Sequence, residues 1–217
     1  GGKDPYSASK AMAEMVIRSF IESYFNDPDS QIRVGIARAG NVIGGGDWAK
    51  DRIVPDCMVA WNKNEIVNIR SPHSTRPWQH VLEPLSGYLL LGASLFESNE
   101  NHSEAYNFGP PANQNHSVSE LIDEMGKYWD QIRWKDVSID YESLHEAGLL
   151  KLNCDKAQFN LNWQSTLDFL ETVKMTVDWY KVYYENQNHS MYNFTKDQIL
   201  EYTKLANMRQ LSWAKND

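Results

Sequence analysis

Tyr6 and Lys10 stand four residues apart in the run DPYSASKAMAE. On a helix, positions i and i+4 share a face, so one site can receive both side chains. A phenol with a pKa of ~10 is a poor base at neutral pH. A neighbouring ammonium favours the phenolate and lowers that value. Such a pair can take a proton from a sugar hydroxyl while hydride leaves the same carbon. Spacing alone does not decide the matter. On an ordinary helix the same pattern packs the tyrosine and solvates the lysine.

Three further residues have the chemistry to hold an anionic ligand. Asn41 follows the end of an apparent strand, where ligands bind in α/β proteins. Arg52 and Arg76 carry guanidinium groups that can grip phosphate oxygens at two points. Each has a plainer alternative: a turn residue for Asn41, a surface ion pair with an acidic neighbour for Arg52 or Arg76. Gly44, Gly45 and Gly46 lack the Lys-Ser/Thr of a phosphate loop and read as a tight turn beside a substrate. His80 and Glu83 read as helix-start and packing residues. His145 and Glu146 lack the second histidine of a zinc helix, and the six histidines show no ligand spacing, so no metal is expected.

The elements that must position these residues can be read from the pattern. Asp4-Pro5 is a helix start, with a carboxylate cap before proline. Met12, Val16, Phe20 and Tyr24 then recur at fours. QIRVGIARAG reads as a strand, with Ile32, Val34 and Ile36 on one face and Gly35, Ala37 and Ala39 on the other. Burial on both faces is expected, as in a parallel sheet. A short helix is predicted over 54–61, a strand over 67–69 and a longer helix over 80–96. AYNFG is another strand. Ser117 and Glu120 form a capping box for the next helix. VSID is an edge strand. Leu167, Leu170, Val173, Val177 and Tyr180 mark a long helix, and Thr195 with Gln198 caps a last one. Strands alternating with helices mean α/β. A boundary is expected between the strand at 32–40 and the loop at 71–78. That makes residues 1–45 one unit and 46–217 mainly a second, some segments of which can return to the first.

Composition narrows the function. The net charge is −8, which argues against a nucleic-acid or anionic-membrane partner. A local arginine cluster remains compatible with a small anionic ligand. No run reaches the ~18 apolar residues of a membrane span, and no signal peptide precedes the first motif. Cys57 and Cys154 are the only cysteines, so a reducing, cytoplasmic setting is expected. The sequons at Asn101, Asn115, Asn188 and Asn193 then read as polar loop sequence.

DPYSASKAMAE, RAGNVIGGGDW followed by R-x-VPD, and RPWQHVLEPLSGYLLL together resemble the extended short-chain dehydrogenase/reductase family. FGPP, HEAGLLKLNCDKA and TKDQILEY extend the resemblance over essentially the whole chain. It implies the C-terminal part of a Rossmann-type fold plus a smaller mixed α/β substrate lobe. NAD would be the tightly bound cofactor. Tyr6 would be the base acting on a sugar hydroxyl, and Lys10 would tune it and contact the nicotinamide ribose. Asn41 would contact the sugar diphosphate beside Arg52 and Arg76. GGGDW and RPWQHVLEP point to the members that dehydrate a CDP-linked hexose. An epimerase or reductase acting on another nucleotide sugar stays open, as does a non-catalytic nucleotide-binding or assembly module.

The family's glycine-rich cofactor turn has no counterpart in the 217 residues, nor does its Thr-Asp-Lys site. A C-terminal fragment is therefore expected. Its strand at 32–40 should present an open edge. The stripe from Met12 to Tyr24 should lie bare unless a second copy covers it, so a homo-oligomer or a rearrangement of residues 1–45 is expected. NAD binding and turnover by the fragment alone should be weak or absent.

Overall fold

The computed structural model describes residues 4–27, 29–141, 151–186 and 190–215. His145, Glu146 and Asn188 lie outside the described residues. Helix α1 (Pro5–Phe20) begins as its cap predicts. The Asp4 carboxylate accepts the Ser7 amide at 2.9 Å, and proline opens the first turn. The chain continues as a wider π-type turn over Ile21–Phe25. Ile21 is buried, whereas Met12, Phe20 and Tyr24 are all more than half exposed. The predicted stripe exists and faces outward.

Strand β1 (Ile36–Ala39) is followed by β2 (Val42–Ile43), helix α2 (Ile53–Asn62), β3 (Val67–Ile69), β4 (Thr75–Arg76), β5 (Gln79–His80) and helix α3 (Leu82–Glu97). Then come β6 (Ala105–Phe108), β7 (His116–Ser117), α4 (Val118–Met125), β8 (Trp134–Asp136), α5 (Asp155–Leu161), α6 (Phe169–Glu185) and α7 (Met191–Met208). The pairings are long-range. β1 runs parallel to β6, β2 to β5 and β3 to β8, while β4 is antiparallel to β7. Parallel partners need crossover connections, and the helices supply them.

Two main cores result. One packs α2, α4 and α6 around Met58, Trp61, Ile122 and Val177. The other sets Leu91 of α3 and Leu161 of α5 against Tyr106 and Phe108 of β6. Close approach of α3 to the sheet depends on a missing side chain. A Cβ at Gly87 would lie 2.2 Å from the Phe108 ring. Capping boxes open two helices of the first core, Ser117 with Glu120 on α4 and Asp168 with Glu171 on α6.

Five expectations change. His80 lies in β5, not at a helix start, because its backbone pairs with Ile43. The strand predicted at VSID is displaced to Trp134–Asp136, and Ser138–Tyr141 forms a 3-10 turn. The last helix starts at Ser190, whose hydroxyl accepts from the Asn193 amide, so Thr195 and Gln198 sit inside it. That also places Asn193 on a helix rather than in a loop. Finally, β1 is not buried on both faces. Ile36 is buried but Ala37 is exposed, and β1 pairs with one strand alone among the described residues.

Candidate functional site

Tyr6 and Lys10 occupy the first two turns of α1. The Lys10 ammonium lies 5.5 Å from the centre of the Tyr6 ring, within cation–π range. Tyr6 is 72% exposed, so its phenol is open to a ligand. The helix is held to the sheet further along. Both carboxylate oxygens of Glu14 accept from the Arg38 guanidinium of β1, each at 2.5 Å. Arg38 in turn reaches the Asn107 side chain of β6 at 3.3 Å. The Arg38 hydrogen bonds hold the Glu14 carboxyl below its ordinary value, against a smaller opposing effect of burial.

Asn41 lies just past the C-terminal end of β1, and its carbonyl accepts the Gln79 amide at 3.0 Å. A Cβ on the preceding Gly40 would be 3.1 Å from the Pro77 ring. The segment Arg76–Gln79 therefore runs beside Gly40 and Asn41. Arg76 is buried, its Nη1 donates to the Thr75 carbonyl at 2.9 Å, and its strand neighbour is His116. Of the three residues predicted to hold an anion, Asn41 and Arg76 lie on segments that run side by side. Arg52 precedes α2 with its side chain 63% exposed, and its Nη1 lies 3.7 Å from the Asp47 carboxylate. That is the surface pairing its acidic neighbourhood allowed, and the open geometry leaves the guanidinium accessible.

The turn between Asn41 and Arg52 is held by α6, far along the chain in sequence. A Cβ at Gly45 would fall 2.0 Å from the Trp179 indole of α6, so the turn lies flat on that ring. Gly46 adopts φ +78°, a conformation glycine enters without penalty. The Tyr180 hydroxyl donates to the Asp47 carbonyl at 2.7 Å. Trp48 packs edge-on against Tyr180 and lies 4.9 Å from Tyr183, ring centre to ring centre.

Sequence reasoning missed a second layer. Gln79 is buried, and its amide donates to the Phe108 carbonyl at 3.0 Å, tying β5 to the end of β6. His80 is buried beside it. Its Nδ1 accepts the Leu82 amide, and burial lowers its pKa to about 4, so the ring is neutral at neutral pH. Glu83 is a buried carboxylate that accepts the amides of Thr166 and Leu167 and the Tyr202 hydroxyl. It locks α3 to α7 and to the segment before α6. Among the described residues, no group of three or more His, Cys, Asp or Glu is placed to hold a metal ion. No helix among them is long and apolar enough to cross a membrane.

No protein-family model matches the chain. The CDP-glucose 4,6-dehydratase of Salmonella typhimurium is 44% identical over 207 residues, which is 93% of this chain and 56% of that protein. The structure of UDP-glucuronic acid 4-epimerase from Bacillus cereus, in complex with UDP-glucuronic acid and NAD, superposes with a TM-score of 0.68 at 16% identity. It covers 82% of this chain and 52% of its own. The dTDP-glucose 4,6-dehydratase of Bacillus anthracis, in complex with NAD, gives a TM-score of 0.64 at 18% identity, with coverages of 86% and 54%. The chain spans about half the length of the curated relatives it matches. It has the α/β fold of the C-terminal part of a Rossmann-type extended short-chain dehydrogenase/reductase with its smaller mixed lobe, and over nearly all its length it is similar to CDP-glucose 4,6-dehydratase.

Proposed function

We propose that this chain is part of a nucleotide-sugar 4,6-dehydratase that converts CDP-glucose to CDP-4-keto-6-deoxyglucose. One observation carries the reading. An accessible phenol with an ammonium beside its ring opens a capped helix, in a chain similar along nearly its whole length to an enzyme named for that reaction. The net change is loss of one water with no net oxidation. Tyr6 takes the proton of the sugar 4-hydroxyl. Lys10 holds its ammonium beside the Tyr6 ring and reaches the ribose next to it. The open face around both residues fits that half of an NAD site. NAD would supply a reversible hydride acceptor at this site, with Tyr6 and Lys10 holding its ribose end.

In this reading Asn41 and Arg76 hold the diphosphate at the strand end, and Arg52 closes on it from across the glycine turn. Residues 1–45 belong to the cofactor domain. Residues 46–217 form mainly the sugar-nucleotide lobe, with α3 and β6 returning to the cofactor side. A glycine-rich NAD turn is a necessary complement, so the 217 residues alone are expected to be inactive. The bare stripe of α1 fits a homo-oligomer, and a cytoplasmic setting suits a nucleotide-sugar substrate.

The test uses the full natural polypeptide that carries this chain. It is assayed with CDP-, dTDP-, GDP- and UDP-glucose for the 4-keto product. Product from CDP-glucose at the highest kcat/KM is expected. A preference for another nucleotide, or epimerised hexose without loss of water, would replace the proposal with a different nucleotide-sugar reaction.

A further inference from the structure

We propose that Trp179, steered by Thr195, is a positioning residue for the sugar-nucleotide site and acts through the glycine turn on Arg52. The inference rests on the reading of Arg52 as a diphosphate ligand. Neither residue belongs to the strand ends where the ligand is placed. They lie on α6 and α7, and the contacts run in one unbroken sequence. The indole Nε1 of Trp179 donates to the Thr195 hydroxyl at 2.9 Å, which fixes the rotation of the ring. Tyr183 stacks on the same indole, 5.6 Å between ring centres and 10° between planes. Trp179 is 9% exposed, so the plate is buried and held.

Gly45 lies against that plate with no room for a methyl group, and Gly46 continues over its outer edge, where a Cβ would be 3.4 Å away. One residue further on, Asp47 is pinned through its carbonyl by Tyr180. Its carboxylate faces Arg52. A long, exposed ion pair contributes little by itself. Here its acidic partner is anchored: with the Asp47 backbone held by Tyr180 and the glycine turn held on Trp179, the carboxylate that faces Arg52 stays in one place. This explains why glycine stands at position 45: close approach to the indole, not a phosphate cradle, is the property in use, while Gly44 lies against Val81 and Gly46 supplies the positive φ.

The experiment measures the dissociation constant for CDP in the full natural polypeptide and in Trp179→Phe, Thr195→Val and Arg52→Ala. Both double variants that include Arg52→Ala are measured with them. Trp179→Phe keeps the apolar plate and loses the indole donor, which guards against a mere failure to fold. Loss of one charge-assisted contact weakens binding by about tenfold. Part of that loss is expected in each of Trp179→Phe and Thr195→Val. In the Arg52→Ala background neither change should weaken binding further, because the residue they act through is gone. Additive losses, or single variants that bind CDP as tightly as the parent, would overturn the proposal.

A readout without ligand separates this proposal from the proposed function. The fluorine resonance of 5-fluorotryptophan at Trp48 should broaden in Thr195→Val if the turn loosens. A turn that loosens in a protein with no CDP affinity condemns the substrate assignment and spares the mechanical one. An unchanged resonance condemns the mechanical one.

Discussion

The carboxylate of Glu14 grips the guanidinium of Arg38 at two points, both at 2.5 Å, and this pair joins the helix of Tyr6 and Lys10 to β1. Most exposed ion pairs are worth under about 1 kcal/mol, but bidentate geometry places this one at the upper end. Glu14→Gln should lower unfolding stability by about 1 kcal/mol at pH 7. The Glu14 pKa is depressed in the folded state. Its contribution is therefore present above the ordinary glutamate range and lost as pH falls through the lower, folded value. Chemical denaturation between pH 3 and pH 7 should show a steeper acid loss in the parent than in Glu14→Gln. Parallel curves would contradict this.

Glu83 behaves in the opposite sense. Burial raises its pKa to about 7, more than its hydrogen bonds from Leu167, Thr166 and Tyr202 lower it. An acid whose folded pKa is raised contributes stability that is complete below the unfolded value of ~4.3 and is lost as pH rises through about 7. Glu83→Gln accepts through one oxygen only, because its terminal NH2 accepts nothing, whereas both oxygens of the neutral acid still can. A loss of about 2–3 kcal/mol is expected at pH 6 from unsatisfied buried groups. The stability slope between pH 5 and pH 7 should also flatten. A variant as stable as the parent would remove Glu83 from its bridging role.

Gly87→Ala separates two competing effects. Alanine in a helix interior gains about 1 kcal/mol over glycine. Overpacking a filled core costs about 1–3 kcal/mol. With the Phe108 ring fully buried and 2.2 Å from the added carbon, the clash should win. A lowered Tm is predicted. A raised Tm would mean that α3 moves away from β6 without penalty.

Arg76→Lys keeps the charge and removes the fork. A lysine binds phosphate as a point charge, so CDP affinity in the full natural polypeptide should fall about tenfold, as measured by calorimetry. Unchanged affinity would move the diphosphate away from β4.

The parts of this fold legible in the sequence are those whose causes are local. Asp4-Pro5 and the Ser117–Glu120 box each state their own hydrogen bonding within four residues. The Tyr6–Lys10 pair is legible for the same reason. Thr195 and Gln198 mimic a capping box, yet in the folded chain they serve distant partners, Trp179 and the Met175 carbonyl. Conversely, the true box at Asp168 and Glu171 was hidden because Leu167 already continued the apolar pattern into the helix. The strand pairings, the Glu83 bridge and the Trp179 plate depend on residues brought together from far along the chain. No periodicity carries that information. His80 was misplaced because its two-residue strand exists through its pairing with Ile43.

The most direct test is Tyr6→Phe in the full natural polypeptide, with 4-keto product formation from CDP-glucose followed under single-turnover conditions. Loss of a general base typically costs 10²–10⁴-fold, and a fall of about that size is predicted with CDP affinity unchanged. Oxidation of the sugar at the parental rate would contradict the assignment of Tyr6 as the base and, with it, the proposed reaction.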